Sequence, residues 1–576
     1  MKIKSLLIGM LACSAMVACT NTDEPEVEIN AEGKAYVSVK LVSSSLNGSR
    51  STTDGNYENA NPAETENKID GSKSIFLFYE GDGHWVTSGV ITTETPVGTE
   101  NPAINDVKGA ATVVLQGTET NLSRIEKVLT VINYSGCDNL KQLTLEQALA
   151  KIAETSSDDA AGTKNGFLMT TSVYKNVNEN NVTETINYTK IEPGNIAATA
   201  ALAKANPVII HVERAAAKVD VAVTATGDGL ILGKPNTSNA DKGIVVDGVI
   251  TPVQITIDGW TLNGINEDTY LVKQLEDAWK VSGENADVPF ANWNKATDFR
   301  SFWAKSTNYV NDNSLTYKTY TEAKESETTV EYCYENNYDN YAIDYNTVTK
   351  NHKVTTVLVA AHFNLLDGTN GAATAAQTLY EFNGVFYKEA NYKNLILKQL
   401  QDAGYKVVTT TGGTTTEVDL TEAALQIKSN GTLSGIQFEV KAPATGSSYY
   451  KNNETCENTA IATFINGLDY VKEAQAYLNG QCYYQVPIEH LAATADELTY
   501  TTGEDGKKSY NFVEGFYGVI RNHHYKLNIS AIKHIGEPVY DPNKKITDIP
   551  AKLVDYYMAA EIHVLNWKVV NQNVEL

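Results

Sequence analysis

Residues 35–41 read Ala35-Tyr36-Val37-Ser38-Val39-Lys40-Leu41. Apolar residues occupy every second position, which is the period of a β-strand with one buried face. Ala35, Val37, Val39 and Leu41 share that face. The stretch therefore predicts a strand that packs against a core.

Strand-like segments of the same kind recur along the chain, with turn signals between them. They lie at residues 74–79, 128–132, 208–212, 219–223, 253–257, 355–362, 436–440, 483–488 and 525–529. A helix is predicted from Thr144, where Gln147 is placed for a capping box, and others near 272–279 and 392–403. Strands and helices do not alternate as in βαβ units. The pattern predicts an all-β sandwich architecture with a few short helices.

Composition narrows the possible functions. The chain has 576 residues, of which 42% are apolar, enough for a sizeable core. Its 46 basic and 70 acidic residues give a formal net charge of −24. Phosphate backbones would repel such a chain, which excludes nucleic-acid binding as a main function.

The N-terminus has the pattern of an export signal. Lys2 and Lys4 precede a short apolar stretch at 6–18, which is too short to span a bilayer as a helix. The stretch ends in Val17-Ala18-Cys19, which resembles a bacterial lipobox and predicts lipidation of Cys19. An ordinary signal peptide with an incidental Cys19 is the alternative, and Cys13 is a poorer lipidation site. The polar, acidic residues 20–28 that follow predict a tether.

The sequence offers no catalytic motif. It has no phosphate-binding loop, HExxH or GxSxG pattern, and a glycosidase-type carboxylate pair would be indistinguishable among 70 acidic residues. We expect no enzyme activity, no cofactor and no metal. Four cysteines follow the signal, Cys137, Cys333, Cys456 and Cys482. An even number in an exported protein permits two disulfides, in any of three connectivities.

Both ends of the mature chain carry unusual features. Arg50 lies in a Ser/Gly/Asn/Thr-rich stretch, residues 43–55, that should be open to proteases, and Arg50-Ser51 is a candidate cleavage site. Codon bias toward Lys is the alternative explanation for an isolated Arg. The C-terminus is apolar and alternating, which predicts two short strands or one bulged strand. Trp567 and Val569 share one face of this segment, as do Val574 and Leu576, although a final strand within the chain's own sandwich would look the same.

Several blocks along the chain resemble the Fim/Mfa fimbrillins, the stalk subunits of type V pili in the Bacteroides–Porphyromonas group, and the Mfa-like major subunits in particular. The blocks are His211-Val212-Glu213-Arg214-Ala215-Ala216-Ala217-Lys218-Val219, Ile257-Asp258-Gly259-Trp260-Thr261-Leu262-Asn263, Phe299-Arg300-Ser301-Phe302-Trp303-Ala304, Asn479-Gly480-Gln481-Cys482-Tyr483-Tyr484, the segment 518–529 and Val564-Leu565-Asn566-Trp567-Lys568-Val569. Their order, together with the lipobox and the Arg50 loop, is more specific than any single block.

The resemblance implies two tandem transthyretin-like β-sandwiches, a removable first strand and a C-terminal donor strand at 567–576. Val569, Val574 and Leu576 are then predicted to be among its inserting residues, and Trp567 either inserts with them or packs at the groove entrance. The implied segments are a lipoprotein signal peptide (1–18), a lipidated propeptide (19–50), an N-terminal sandwich (51–235), a C-terminal sandwich (236–547) and a donor segment (548–576). Head-to-tail donor-strand exchange with identical subunits would follow cleavage by an extracellular Arg-specific protease. The implied partners also include tip and anchor subunits, and the outer membrane before cleavage. The implied location is a fimbrium on the cell surface.

A surface lipoprotein that binds glycans is the alternative function, because 32 Tyr and six Trp could stack on sugars. It would keep its lipid and stay a monomer, and its C-terminus would be dispensable. A secreted hydrolase is a weaker alternative, since no nucleophile–base pattern is visible.

Overall fold

The structure, a computed structural model, describes residues 29–43, 69–95, 109–154, 166–275, 294–337, 354–490, 499–511, 518–547 and 568–575, apart from gaps at 178–179, 181, 236, 238–239, 241, 296–298, 302, 309–314, 328, 368–372 and 503–507. Over these residues the protein is mostly β, with a few short helices. The predicted all-β class is confirmed. No helix among the described residues is both long and apolar enough to cross a bilayer.

The N-terminal half is built on one large sheet. Its strands are β1 (Lys34–Ser43), β2 (Ile75–Tyr79), β3 (Trp85–Gly89), β4 (Ile91–Thr95), β5 (Gly109–Gln116), β6 (Lys127–Ile132), β8 (Met169–Thr171), β11 (Thr189–Lys190), β12 (Ile196–Ala197) and β13 (Val208–Arg214). The main order is β3-β2-β6-β8-β13-β1-β5-β4, and β11 and β12 pair with β6 and β1. Smaller strands are β7 (Ile152–Glu154), β9 (Tyr174–Val177) and β10 (Thr183–Ile186).

Both faces of this sheet are buried, which explains the continuous apolar run in β2. Phe76 and Phe78 pack into a core that includes the apolar face of β1. Ile75, Leu77 and Tyr79 pack on the opposite face, where Leu271 and Trp303 from the second half of the chain cover them. The two halves of the molecule therefore share a core.

The sheet also curls, so that β3 approaches β5. Thr87 Oγ1 donates to the carbonyl of Gln116 at 3.4 Å. A Cβ at Gly89 would lie only 2.1 Å from Cγ1 of Val113, so this approach requires glycine. The curl encloses the core that contains β1.

The chain passes from the N-terminal sheet to the C-terminal sheets at Ala215, between β13 and β14 (Ala216–Val223). β13 pairs with β1 and β8, whereas β14 pairs with β24 (Val330–Tyr334) and β38 (His523–Ala531). The predicted domain limits of 51–235 and 236–547 stay predictions.

The C-terminal half is a sandwich of two main sheets. One has the order β24-β14-β38-β40, with β40 (Lys568–Glu575) at its edge. The other has the order β15-β18-β25-β35-β39, made of β15 (Ile231–Leu232), β18 (Val253–Asn263), β25 (Thr356–Leu365), β35 (Gln481–Pro487) and β39 (Glu537–Pro538). Tyr525 and Leu527 of the first sheet meet Ile255 and Val359 of the second in a common core. Two facing sheets around one core are the predicted sandwich arrangement.

A third sheet flanks this core in the order β17-β16-β27-β26-β34. Its strands are β16 (Ile244–Val246), β17 (Val249–Thr251), β26 (Leu379–Phe382), β27 (Val385–Lys388) and β34 (Gln475–Tyr477). Between β27 and β34 the chain forms a lobe with its own core around Tyr392, Phe438 and Ile461. The lobe contains β28 (Tyr405–Thr411), β29 (Thr414–Val418), β30 (Leu425–Ser429), β31 (Ile436–Val440), β32 (Ser447–Lys451) and β33 (Glu454–Cys456).

The remaining elements are short, apart from one helix of 14 residues. The other strands are β19 (Ile265–Asn266), β20 (Asp268–Tyr270), β21 (Asn294–Lys295), β22 (Arg300–Ser301), β23 (Leu315–Thr316), β36 (Thr499–Thr502) and β37 (Lys508–Asn511). The helices are α1 (Glu119–Leu122), α2 (Leu145–Leu149), α3 (Ala200–Ala205), α4 (Tyr320–Lys324), α5 (Glu389–Asp402), α6 (Asn458–Asn466) and α7 (Asp469–Lys472). Short 3₁₀ turns lie at Gly71–Lys73, Cys137–Leu140, Pro193–Asn195, Gly227–Leu230, Glu422–Ala424 and Leu478–Gly480.

The predicted helix at Thr144 is confirmed with its capping box, and α5 confirms the helix predicted at 392–403. The helix predicted at 272–279 is wrong for residues 272–275. There Gln274 forms an isolated β-bridge with Lys305, and Leu271, Val272 and Leu275 enter the shared core. Residues 276–279 lie outside the described part of the chain.

Candidate functional site

The first candidate site is the position of β1 within the N-terminal sheet, which we call the β1 slot. β1 pairs antiparallel with β5 over Lys34–Leu41 and parallel with β13 over Val39–Ser43. Its first half also pairs with β12 at Tyr36 and Val37. β1 is therefore an interior strand with hydrogen-bonded neighbours on both sides.

The side chains of β1 are as enclosed as its backbone. The alternating residues Ala35, Val37, Val39 and Leu41 are 0–1% exposed and belong to the core of the curled sheet. Lys40, between two of them, is exposed. The structure thus confirms the alternation seen in the sequence and shows how much apolar contact this one strand provides.

The second candidate site is the C-terminal strand β40. It pairs parallel with β38, from Lys568 opposite His523 to Glu575 opposite Ala531. β40 is one strand over residues 568–575, and the irregularity of register lies in β38, between Ile529 and Ala531. Of the predicted inserting residues, Val569 and Val574 lie in β40, opposite His524 and Ile529, while Trp567 and Leu576 lie outside the described residues.

Among the described strands, Lys568–Glu575 has only β38 beside it, because β40 ends the sheet order β24-β14-β38-β40. Its other backbone edge has no strand of the described chain beside it. The two candidate sites are therefore of opposite kinds, since one is an interior strand near the start of the chain and the other is an edge strand near its end.

A cluster of buried charged residues lies between the two sites, where β13 ends and β38 begins. Arg521, just before β38, is fully buried, forms an ion pair of 2.8 Å with Glu335, and donates to the carbonyl of Tyr270 at 2.7 Å. Lys273 and Glu213, both with fully buried side chains, form an ion pair of 2.7 Å. Desolvation by burial lowers the pKa of Lys273 from its usual value.

Asn522 connects this cluster across the two halves. Its carbonyl accepts from Arg300 Nη2 at 3.0 Å, and its side-chain oxygen accepts from Arg214 Nη1 at 3.4 Å. Arg214 ends β13, which lines the β1 slot, and Asn522 precedes β38, which carries β40. The sequence prediction missed this cluster, although its charged residues stand out within the apolar blocks 211–219 and 518–529.

The fold also determines which arginines solvent can reach. The chain has five, and Arg214, Arg300 and Arg521 are each no more than 2% exposed. Arg124 is exposed but lies in a structured turn, where it pairs with Glu80 at 2.6 Å. The predicted cleavage site Arg50-Ser51 and the predicted lipidation site Cys19 lie outside the described residues.

Cys137, Cys333, Cys456 and Cys482 are free thiols, so the disulfides that the sequence permitted are not formed. Cys333 and Cys482 are buried in the C-terminal core, and burial raises the pKa of Cys482 to about 12. Burial likewise raises the pKa of Cys137 to about 11. Thiols held in the protonated form are poor nucleophiles and poor metal ligands.

The described residues contain no group of three or more His, Cys, Asp or Glu side chains placed to hold a metal. Among the described tryptophans, Trp260 and Trp303 are buried in cores and Trp85 packs partly against one. Aromatic rings in those positions are not surface platforms for sugars.

Comparison with known families gives a match at the C-terminal end. Residues 475–573 match the family model described as "Major fimbrial subunit protein type IV, Fimbrillin, C-terminal". The resemblance to the fimbrillins is confirmed. The matched range runs from β34 to β40 and so includes β38, its preceding Arg521-Asn522 and most of the C-terminal strand. This fimbrillin match supports a fimbrial subunit at the cell surface that assembles with other fimbrial subunits.

Solved structures give only distant likenesses. A putative cell adhesion protein from Parabacteroides distasonis ATCC 8503 is 11% identical, with a TM-score of 0.32 over 94% of this chain and 99% of that one. The tip fimbrial protein Mfa3 from Porphyromonas gingivalis, with C-terminal truncation, is 9% identical, with a TM-score of 0.27 over 60% and 85% of the two chains. No curated protein matches the sequence.

Proposed function

We propose that this chain is a structural, non-enzymatic stalk subunit of a fimbria, cleaved after Arg50 and joined head to tail by donor-strand exchange. One observation carries the proposal. β1 is an interior strand of the N-terminal sheet, and Arg50 follows it within a few residues. A cut after Arg50 would leave β1 held only by non-covalent contacts.

Loss of β1 would be costly. It would leave the backbone groups of β5 and β13 that now face β1 without partners, together with an empty apolar groove. Four inward side chains at about 1.5–3 kcal/mol each give roughly 6–12 kcal/mol of gross burial, with Ala35 contributing least. A second strand of similar pattern would recover most of this free energy, which is the basis of β-augmentation.

The arrangement of arginines supports cleavage at a single place. Three of the five are buried, and Arg124 is ion-paired in a compact turn. A protease needs several residues in an extended conformation, which a folded core does not provide. An extracellular Arg-specific protease would therefore find Arg50 as its main target on the folded precursor.

The directions of the strands fit exchange without reversal. β1 runs parallel to β13, whose last residue, Arg214, meets Asn522 at the junction of the two halves. β40 runs parallel to β38, away from that junction toward Ala531. If the C-terminus of the donor leaves its own subunit first, the donor enters the β1 slot of the next subunit in the same direction in which β1 runs.

The connecting segment is long enough for this movement. The chain up to Ile546 is anchored near the junction, because Asn263 Nδ2 donates to the carbonyl of Ile546 at 2.9 Å. β18, with 11 residues, spans about 36 Å of the C-terminal half. Residues 548–567 could reach about 66 Å if fully extended. They could pass the end of their own subunit and deliver residues 567–576 to a neighbour.

The rest of the proposal follows from the order of events. Cys19 would carry the lipid that holds the precursor at the outer membrane, and cleavage after Arg50 would release the subunit from it. A donor-to-groove contact is head to tail, so it extends into an open filament rather than closing into a dimer. Tip and anchor subunits would end that filament.

The N-terminus of surface material tests the processing step. Intact-mass measurement and N-terminal sequencing of filaments should begin at Ser51, and Arg50→Ala should accumulate as lipidated monomer. Arg124→Ala is the matched control and should assemble normally. Filaments that begin at acylated Cys19, or normal filaments from Arg50→Ala, would refute the processing site.

A synthetic peptide of residues 567–576 tests the exchange itself. After cleavage at Arg50 and removal of the first strand, the subunit should bind this peptide and regain thermal stability. A peptide with Val569 and Val574 replaced by Asp should bind far more weakly. If neither peptide binds, or if both bind equally, residues 567–576 are not the donor.

A further inference from the structure

The most exposed apolar side chains in the described part of the chain lie on one hairpin. Strands β16 and β17 are joined by a turn at Asp247 and Gly248, both with positive φ. Val249 is 65% exposed and Ile250 is 72% exposed. Adjacent residues of a strand point to opposite faces, so exposure of both means that β17 projects from the body of the protein.

The hairpin is also at the edge of its sheet, because β17 ends the order β17-β16-β27-β26-β34. Behind it lies a cleft of about 640 Å³, lined in part by Pro235, Pro252 and Leu366. An exposed apolar edge strand beside a cleft is unusual on a monomer and is typical of a surface that another chain covers.

A series of contacts places the hairpin at the end of the C-terminal half that is remote from the junction. Glu575 of β40 pairs with Ala531, and the next residue, Ile532, donates its N–H to the carbonyl of Gly229 at 2.9 Å. The chain then continues from Gly229 into β15, and a Cβ at Gly233 would lie 3.2 Å from Cα of Pro252, directly after β17. The hairpin is thus at the end toward which β40 points.

We propose that this hairpin is a second docking surface between subunits, which packs against helix α3 of the next copy of this chain in the filament. The inference rests on the proposed donor-strand exchange. In that exchange, the donor passes from this end of one subunit into the β1 slot of the next. The surface around the donor's exit from the first subunit and the surface around the β1 slot of the second are thereby brought together.

The surface beside the slot has a matching feature. α3 contacts β1, β12 and β5, the strands that form and flank the first half of the slot. Its Ala203 is buried, whereas Leu202 is 55% exposed. We assign Leu202 as the apolar side chain that Val249 and Ile250 cover. Their contact would be small beside the burial of a whole donor strand, so it would guide docking and orientation more than final affinity.

The test separates docking from strand insertion. Val249→Glu/Ile250→Glu in one variant, and Leu202→Glu in another, should slow the formation of SDS-resistant ladders from cleaved subunits at least about fivefold, and the combined variant should be no slower than the worse of the two. Lys substitutions at the same positions should act alike, because the loss of apolar contact is the cause rather than net charge. Val418→Glu, at a position 52% exposed on β29 of the separate lobe, is the matched control and should assemble normally.

Binding of the free 567–576 peptide to the same cleaved variants should be unchanged, since the peptide has no hairpin. If the peptide binds and ladders form at the normal rate in the hairpin variants, the second docking surface is refuted while donor-strand exchange stands. If the wild-type cleaved subunit does not bind the peptide, donor-strand exchange fails and the docking surface fails with it. Slowing in only one of the two variants would refute the pairing with Leu202.

Discussion

β1 and β40 are both strands of eight to ten residues near the ends of the chain, yet their positions within their sheets differ. β1 has hydrogen-bonded neighbours on both sides and contributes four side chains to a core. In the described part of the chain, β40 has one neighbour, β38, and lies at the edge of its sheet. Loss of the first would open the fold, whereas loss of the second would expose another edge.

This difference gives a direction to exchange. A strand that leaves an edge loses one set of ladder hydrogen bonds, while a strand that enters the slot gains two and buries an apolar face as well. The free energy therefore favours transfer of an edge strand into an empty interior position. The same asymmetry would keep an uncleaved precursor monomeric, because its slot is already filled.

The largest expected effect comes from a charge inside β1. Val39→Asp in the uncleaved protein would remove about 2 kcal/mol of apolar burial and place an unpaired carboxylate in the core, for a total loss of about 5 kcal/mol. Urea unfolding should show this loss. Lys40→Asp, on the exposed side of the same strand, should change stability by less than about 1 kcal/mol. Equal effects at the two positions would contradict the buried, interior position of β1.

The next effect tests the junction that connects the two regions. Arg521→Met would leave Glu335 as a buried, unpaired charge, and removal of one partner of a buried ion pair costs about 3–5 kcal/mol. Arg124→Met breaks an exposed pair with Glu80 and should cost less than about 1 kcal/mol. Thermal unfolding should separate the two variants clearly. Similar melting temperatures would mean that the buried pair of Arg521 and Glu335 does not stabilise the fold.

A rise in pH should destabilise the folded C-terminal half. Burial raises the pKa of Glu489 to about 7 from 4.5. The folded state therefore binds a proton that the unfolded chain has already released. This extra proton stabilises the folded state fully below pH 4.5. The stabilisation falls as the pH rises toward 7 and is absent above pH 7. The free energy of unfolding should therefore fall by about 3 kcal/mol between pH 4.5 and the range above pH 7.

Glu489→Gln, which stays neutral, should flatten this part of the stability–pH curve and should be more stable than the wild type above pH 7. Exposed Glu473→Gln should keep the wild-type slope. Chemical denaturation at pH 5 and pH 7.5 measures both variants. A wild-type slope in Glu489→Gln would show that this carboxyl ionises normally in the folded protein.

Much of the fold could be predicted because its signals are local. The alternation in 35–41 fixed the buried face of β1, and Thr144 with Gln147 was enough to predict the start of α2. The helix predicted at 272–279 is wrong over residues 272–275, because Leu271, Val272 and Leu275 are apolar for another reason. They fill the core shared with the N-terminal sheet.

The candidate sites were predictable only in part. Their residues could be found from pattern and resemblance, but the interior position of β1 depends on pairing with β13, about 170 residues later in the chain. No local signal specifies such a partner. The buried cluster around Arg521 and Asn522 brings together residues from 213 to 522, and no strand was predicted at the hairpin of Val249 and Ile250.

Removal of β40 should change the stability of the monomer least, and it separates the roles of β1 and β40 most directly. Deletion of residues 568–576 removes an edge strand with one neighbour, so the uncleaved monomer should lose no more than about 1 kcal/mol, and the amides of 569–574 should exchange hydrogen far faster than those of 35–41. The same deletion should abolish SDS-resistant ladders, because the donor is gone. A large loss of monomer stability would mean that β40 is as integral to its own subunit as β1. Intact ladders would mean that a different segment fills the slot.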